Sequence, residues 1–294
     1  MYLGYNSNGF AHHDPHQAIE LIAETGYRGI GITVDHRWLN PFSTDFQQQL
    51  DRVHRQLRLY RLRTVVETGA RFLLDPSIKH EPTLISDGAT ARGRRVDFLK
   101  RCIDIAAELG SDCVSLWSGR CPEGLGLQEA MDRLAANLEP VVRYAENSNV
   151  TLGFEPEPGM LIDTMAAFER MLQWIDSSVL QLTLDVGHLF CQGELPIVDY
   201  IHRWSSRIVN VHIEDMRAGH HEHLMFGDGQ MYFPPIMQAF REIDYRGGLF
   251  VELSRHSHDA PRIAQQSYQF LTQVTESAGR APEDRPATPD KDPG

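Results

Sequence analysis

The sequence predicts a closed (β/α)8 barrel, and three observations lead there. Short Val/Ile/Leu-rich runs alternate with longer stretches of helical periodicity. Eight such units fill a chain of 294 residues, an ordinary size for one barrel of this kind. The runs are apolar almost throughout, as strands of a parallel sheet buried on both faces must be. An open doubly wound sheet is the competing architecture. Against it, the first strand exits through Asn6-Ser-Asn8-Gly, with no Gly-x-Gly-x-x-Gly fingerprint.

The first strand is expected at residues 2–5 and its helix at 16–25, where Gly26 supplies a left-handed cap. The second strand, 29–34, leads to a helix at 44–60. The third, 64–67, precedes a long excursion: Glu67-Thr-Gly-Ala-Arg71-Phe72 and on through His80-Glu-Pro-Thr-Leu84. Loops of that length in a compact domain are usually functional, so a lid or subunit contact is expected here. A helix at 92–109 follows, closed by Gly110. The remaining strands fall at 113–117, 151–155, 180–185, 208–212 and 249–252. The remaining helices fall at 127–147, 164–175, 197–204, 235–243 and 261–275. The reading gives one barrel domain over 1–276 and a disordered tail over 277–294, rich in Pro and charge.

A net charge of −12 works against unaided binding to nucleic acid or an anionic membrane, since both reward clustered Lys and Arg. A small molecule is the expected partner, and a homo-oligomer is left open. The first residues form no basic-then-apolar leader, and no uncharged stretch is long enough to span a bilayer, so a cytoplasmic protein is expected. Cys102, Cys113, Cys121 and Cys191 are scattered without a C-x-x-C pair and read as reduced thiols.

The chemistry lies at strand ends. Glu155, Asp185, His212 and Glu252 each close a short apolar run, and in a parallel barrel those ends open onto one face. An acid at a strand end is often only a helix N-cap, but four on successive strands make a ligand set. Three carboxylates and one imidazole suit Mn²⁺, Mg²⁺ or Co²⁺ better than a structural zinc, with one ion expected and Mn²⁺ foremost. His188, after Gly187 in Asp185-Val-Gly-His188, is expected to hang over the metal once glycine turns the chain off the strand. Glu157 is expected to orient a substrate hydroxyl or His188. His223 is the site candidate from the run His220-His221-Glu-His223, with His220 unassigned. Arg217 and Arg255 are the cations able to hold an anionic or carbonyl oxygen. Glu67 should face the same pocket, paired with Arg71 if the loop is a structural clasp, and Phe72 or Trp117 should stack on a sugar face.

Leu184-Asp-Val-Gly-His188, Val211-His-Ile-Glu-Asp215, His223-x-x-x-Gly227-x-Gly229 and Phe250-Val-Glu252 together resemble the xylose-isomerase-like TIM-barrel superfamily of sugar isomerases and epimerases. The resemblance runs from residue 1 to about 276 and implies a ketose 3-epimerase-like site. It makes Glu155 and Glu252 both metal ligands and proton carriers, Asp185 and His212 further ligands, His188 a substrate contact and Arg217 a substrate arginine. The superfamily also contains the endonuclease IV type of DNA-repair enzyme, whose extra strand-end histidines are replaced here by Asp35-His36, Glu67 and Trp117. The expected activity is enediolate chemistry on a hydroxy-ketone carbohydrate. Return of the proton to the opposite face gives epimerisation, return to the neighbouring carbon gives isomerisation, and loss of a β-substituent makes the site a lyase. A non-catalytic metal-binding subunit is the reading outside enzymology.

Overall fold

The computed structural model describes residues 1–175 and 177–277, so the expected tail lies outside the described residues from 278 onward. The strands in chain order are β1 (Tyr2–Asn6), β2 (Gly29–Thr33), β3 (Arg63–Glu67), β4 (Val114–Leu116), β5 (Leu152–Phe154), β6 (Leu180–Asp185) and β7 (Ile208–Ile213). Next come β8 (Asp215–Arg217) and β9 (His220–Leu224), an antiparallel hairpin, and then β10 (Gly248–Val251). The barrel closes in the order β1-β10-β7-β6-β5-β4-β3-β2, with parallel pairing throughout.

Outside it lie α1 (Pro15–Thr25), α2 (Phe46–Tyr60), α3 (Ala89–Leu109), α4 (Leu127–Ser148), α5 (Met165–Leu172), α6 (Val186–Cys191), α7 (Ile197–Arg203), α8 (Phe233–Glu242) and α9 (Ala260–Ser277). Helix α8 begins two residues before the expected 235, because Pro234 and Pro235 stand in its first turn, where a missing N–H costs no hydrogen bond. Gly26 and Gly110 take the left-handed caps expected of them. No described helix is long and apolar enough to cross a membrane.

Side chains on a strand alternate between faces, so residues two apart share one. Inside the barrel this builds three storeys. The floor is apolar: Val65, Cys113 and Phe250 form their own buried cluster, against which Tyr2 and Val209 pack. The middle is polar. Thr183 Oγ1 donates to Ser115 Oγ (3.2 Å), and Asn210 Nδ2 reaches Glu67 Oε1 at 3.3 Å. Two residues further along β6 and β7 stand Asp185 and His212, and Glu252 joins them at the open end from just past β10. The larger apolar core lies between barrel and helices. It leaves the upper lumen free for charged groups.

Candidate metal centre and active site

The four strand-end residues meet. One potential donor atom from each of Glu155, Asp185, His212 and Glu252 lies within 4.8 Å of the others. Their strands β5, β6, β7 and β10 are successive neighbours in the barrel, with the two glutamates at the ends of the run. His212 Nδ1 is 3.0 Å from Glu155 Oε1, 3.1 Å from Glu252 Oε2 and 4.0 Å from Asp185 Oδ2. Its other nitrogen, Nε2, is 2.9 Å from Glu67 Oε1. Glu67 therefore holds the proton on Nε2 and leaves Nδ1, which faces the three acids, as the nitrogen able to ligate a cation, the way a carboxylate fixes a ligating histidine. Glu67 lines the same cavity as expected, but its contact is with the imidazole.

Asp185 combines the helix-cap and ligand readings. Its Oδ1 accepts from His188 N at 2.9 Å and caps α6, while the buried Oδ2 has no hydrogen-bond partner among the described residues. An orphaned buried carboxylate oxygen beside two more carboxylates and an imidazole lone pair fits a hard divalent cation. Glu252 is clamped from the exit of β1: Asn8 Nδ2 donates to Oε1 (2.8 Å) and Asn6 Nδ2 to Oε2 (3.4 Å).

Electrostatics separates the two glutamates. Burial pushes Glu155 up to about 8. Burial acts on Glu252 in the same direction, but His212 and His223 overcome it and hold Glu252 below the usual range. For His212 burial favours the neutral form, yet Glu67, Glu155 and Glu252 raise its pKa well above the usual value. A cation entering this site must displace protons from His212 and Glu155. Mn²⁺ affinity of the metal-stripped protein should therefore fall on acidification below about pH 8, by about tenfold per pH unit for each proton displaced. Calorimetric titrations in two buffers of different ionisation enthalpy check it; an affinity independent of pH, with no proton release, would contradict it.

The cavity at Glu155, His212 and Glu252 has a volume of about 80 Å³ and is lined also by Glu67, Arg71, His80, Trp117, Glu157, His188 and His223. Burial and the facing Glu252 carry Glu157 up to about 7. His188 is buried and sits on α6, a short helix in place of the expected glycine turn. Gly187 serves close approach: a Cβ there would stand 2.1 Å from Glu214 Oε1 and 2.7 Å from Met216 Cε. Trp117 forms a wall, with the Arg95 guanidinium 4.7 Å from its ring on one side and the edge of His80 on another.

Several expectations are corrected. Arg217 stands at the turn end of the β8–β9 hairpin, paired in register with His220. Its guanidinium is half exposed and reaches Asp228 O and Glu222 rather than the cavity. Arg255 also points to Glu222 from an exposed position. The arginine lining the cavity is Arg71, and it pairs with Asp35 at 2.6 Å instead of with Glu67. Phe72 is exposed, while Thr83, Leu84 and Ile85 are buried, so the end of the long loop is packed down. Asn6, Asn8, Glu214 and His221 were not singled out by the sequence reading. For Glu214 the only signal was its place two residues beyond His212.

With this geometry in place, the chain can be compared with known proteins. A family model described as "Xylose isomerase-like TIM barrel" matches residues 19–274. The chain belongs to that family. An uncharacterized protein of Methanocaldococcus jannaschii is 28% identical over 187 residues, 62% of this chain and 64% of that protein. An inosose dehydratase of Lacticaseibacillus casei is 30% identical over 138 residues, 41% of this chain and 46% of the enzyme. The matches thus span less than two thirds of either relative. The crystal structure of a D-tagatose 3-epimerase-like protein superposes with a TM-score of 0.79 at 23% identity, covering 95% of this chain and 98% of that one. At that identity the likeness is one of fold.

Proposed function

We propose that the protein is a divalent-metal-dependent enzyme that removes and returns a carbon-bound proton beside the carbonyl of a polyhydroxylated ketone, with epimerisation or isomerisation as the outcome. The observation that carries this reading is the pair of glutamates flanking His212: Glu155 and Glu252 approach the same nitrogen at 3.0 and 3.1 Å from the two ends of a four-strand run. Two carboxyls whose surroundings push their pKa values apart form an acid–base pair. Glu252, ionised and oriented by Asn8, takes the proton. Glu155 stands on the other side of the ligand set, where a proton is returned to the opposite face. A divalent cation held by the four residues, with Mn²⁺ best suited to the donors, supplies stabilisation of the developing enediolate charge. His188 and Glu157 line the cavity where substrate hydroxyls would lie, Trp117 offers a flat apolar wall for a sugar ring, and His223 borders it.

A second reading has its own support. The inosose dehydratase match favours loss of a β-hydroxyl from the same enediolate, which needs one further acid near the leaving group. Glu157, carried up to about 7, is placed to be that acid.

Metal-replete protein incubated in D₂O with free ketoses, inososes and 3-keto-glycosides, followed by NMR, tests both. Deuterium entering the carbon beside the carbonyl, with a new epimer or isomer, supports the first reading. Loss of water with new unsaturated or diketone signals supports the second. No exchange with any substrate class removes the enzymatic reading and leaves a metal-binding scaffold.

A further inference from the structure

The cavity has two unlike halves. The candidate ligands stand at the ends of β5, β6, β7 and β10, one unbroken run of the closed barrel, whereas the opposite wall is built by the ends of β2, β3 and β4 and the segments that follow them. That wall carries positive charge. Arg71 and His80 reach the cavity from the long segment after β3, and Trp117, just past β4, has the Arg95 guanidinium 4.7 Å from its ring centre. Two acids stand on the same side: Glu67 is turned to His212, and Asp35 Oδ2 accepts from Arg71 Nη2 at 2.6 Å.

The pair with Asp35 positions Arg71 without using it up. Asp35 Oδ1 accepts from the backbone of Arg37 (3.1 Å) and Trp38 (3.4 Å), so the carboxylate is fixed by its own turn and takes a single N–H group of the guanidinium. The described residues take no other. Arg95 is buried, and its Nη1 has no hydrogen-bond partner among the described residues, a costly state for a charged group. Burial, with the charges of Lys79, Arg95 and Arg71, carries His80 down to about 4. His80 is therefore neutral, with Nδ1 giving its proton to Gly69 O at 2.6 Å and Nε2 left as an acceptor. The backbone is held in an unusual shape around these groups: Ala70 and Phe72, on either side of Arg71, have φ of 46° and 56°, and His80 has 70°. Residues with a Cβ avoid this left-handed region, and where surrounding contacts impose it the position is commonly one that holds a ligand. The chain as a whole carries −12, a field that repels anions, so the cationic wall is a local feature.

We infer that the substrate carries an oxyanion, a carboxylate or a phosphate, and that Arg71 binds it across the cavity from the cation-binding carboxylates. A guanidinium suits the task because its planar fork can offer an oxyanion two N–H groups at once. Placing the anion on this wall also keeps it from the glutamates opposite. His80 accepts from a hydroxyl beside it, and Arg95, held against Trp117, adds positive potential. The ketone end of such a substrate rests on the reaction proposed above; the anionic end rests on Arg71.

The test uses three hydroxy-ketones that differ at one substituent: dihydroxyacetone, hydroxypyruvate and dihydroxyacetone phosphate. Ligand-detected NMR on the magnesium-loaded full chain, at constant ionic strength, gives the affinity for each. At least one anionic probe should bind about 10- to 100-fold tighter than dihydroxyacetone, the gain expected of hydrogen bonds to a charged group, and which one does so tells carboxylate from phosphate. Arg71→Gln should bring that ratio close to one, while Arg71→Lys, which keeps the charge and loses the fork, should keep part of it. A ratio near one in the wild type overturns the inference. So does a ratio that survives Arg71→Gln, including an equal loss of affinity for all three probes, which would make Arg71 a structural clasp. The same samples in D₂O report proton exchange separately. A retained anion preference without exchange would fell the reaction reading alone, and exchange into dihydroxyacetone without an anion preference would fell this inference alone.

Discussion

Glu252→Gln should lower turnover by about 10²–10⁴-fold, the usual contribution of a general acid or base, while the barrel stays folded and still takes up a cation. The surroundings of Glu252 are what make the variant informative. Asn8 and Asn6 each donate to one of its oxygens, and Asn6 Oδ1 and Asn8 Oδ1 are buried without partners among the described residues. A glutamine keeps one oxygen for Asn8 and offers its amide protons to an asparagine carbonyl, so the side chain is retained in place. What is lost is the negative charge and the capacity to take a proton. Three of the four donor groups remain, so Mn²⁺ binding should weaken without vanishing. Deuterium wash-in and bound manganese, measured on the same preparation, separate the two effects. A variant that exchanges protons at near wild-type rate would move the base to another residue, with His188 next in line.

The barrel and the four-residue group were legible because both rest on simple periodicities. Continuous apolar runs mark buried parallel strands, and a polar residue closing such a run must emerge on the open face. The period of two also puts Asp185 above Thr183 and His212 above Asn210, which is why each strand carries its functional group directly over a supporting one. The hairpin was not legible. Asp-Met-Arg and His-His-Glu-His-Leu have neither strand-like alternation nor apolar content, and what holds them is Asp215, whose carboxylate accepts from the backbone of Met216, Gly227, Gly229 and Met231. Missing the hairpin sent Arg217 into the site and hid His221, because only the turn between β8 and β9 decides which side chains face inward. Helix α6 escaped for a different reason: six residues beginning Val-Gly are too few to show a helical period. Asn6 and Asn8 read as a loop after a strand, and their role depends on Glu252 from the far end of the chain. No local pattern encodes that.

Phe250→Ala should destabilise the protein by about 3–5 kcal/mol, at the upper end for a single core truncation. Phe250 is fully buried on β10, two residues below Glu252, and it is the largest side chain of the floor cluster it forms with Val65 and Cys113. Three neighbouring strand positions are glycine to admit its ring. A Cβ built on Gly4 or Gly248 would come within 2.4 or 2.3 Å of the ring, and one on Gly29 within 3.2 Å. Those glycines have no side chains to move into the space the ring leaves, so the cavity should persist and the full cost be felt. The same geometry predicts a reversal of sign. Gly4→Ala in the wild type forces a methyl group into the ring and should cost about 1–3 kcal/mol. In the Phe250→Ala background that methyl enters empty volume and should recover part of the loss. Urea unfolding of the two single variants and the double variant gives the coupling energy. Additive losses would mean that the ring and the glycines do not share one space, and that the barrel floor is held by other contacts.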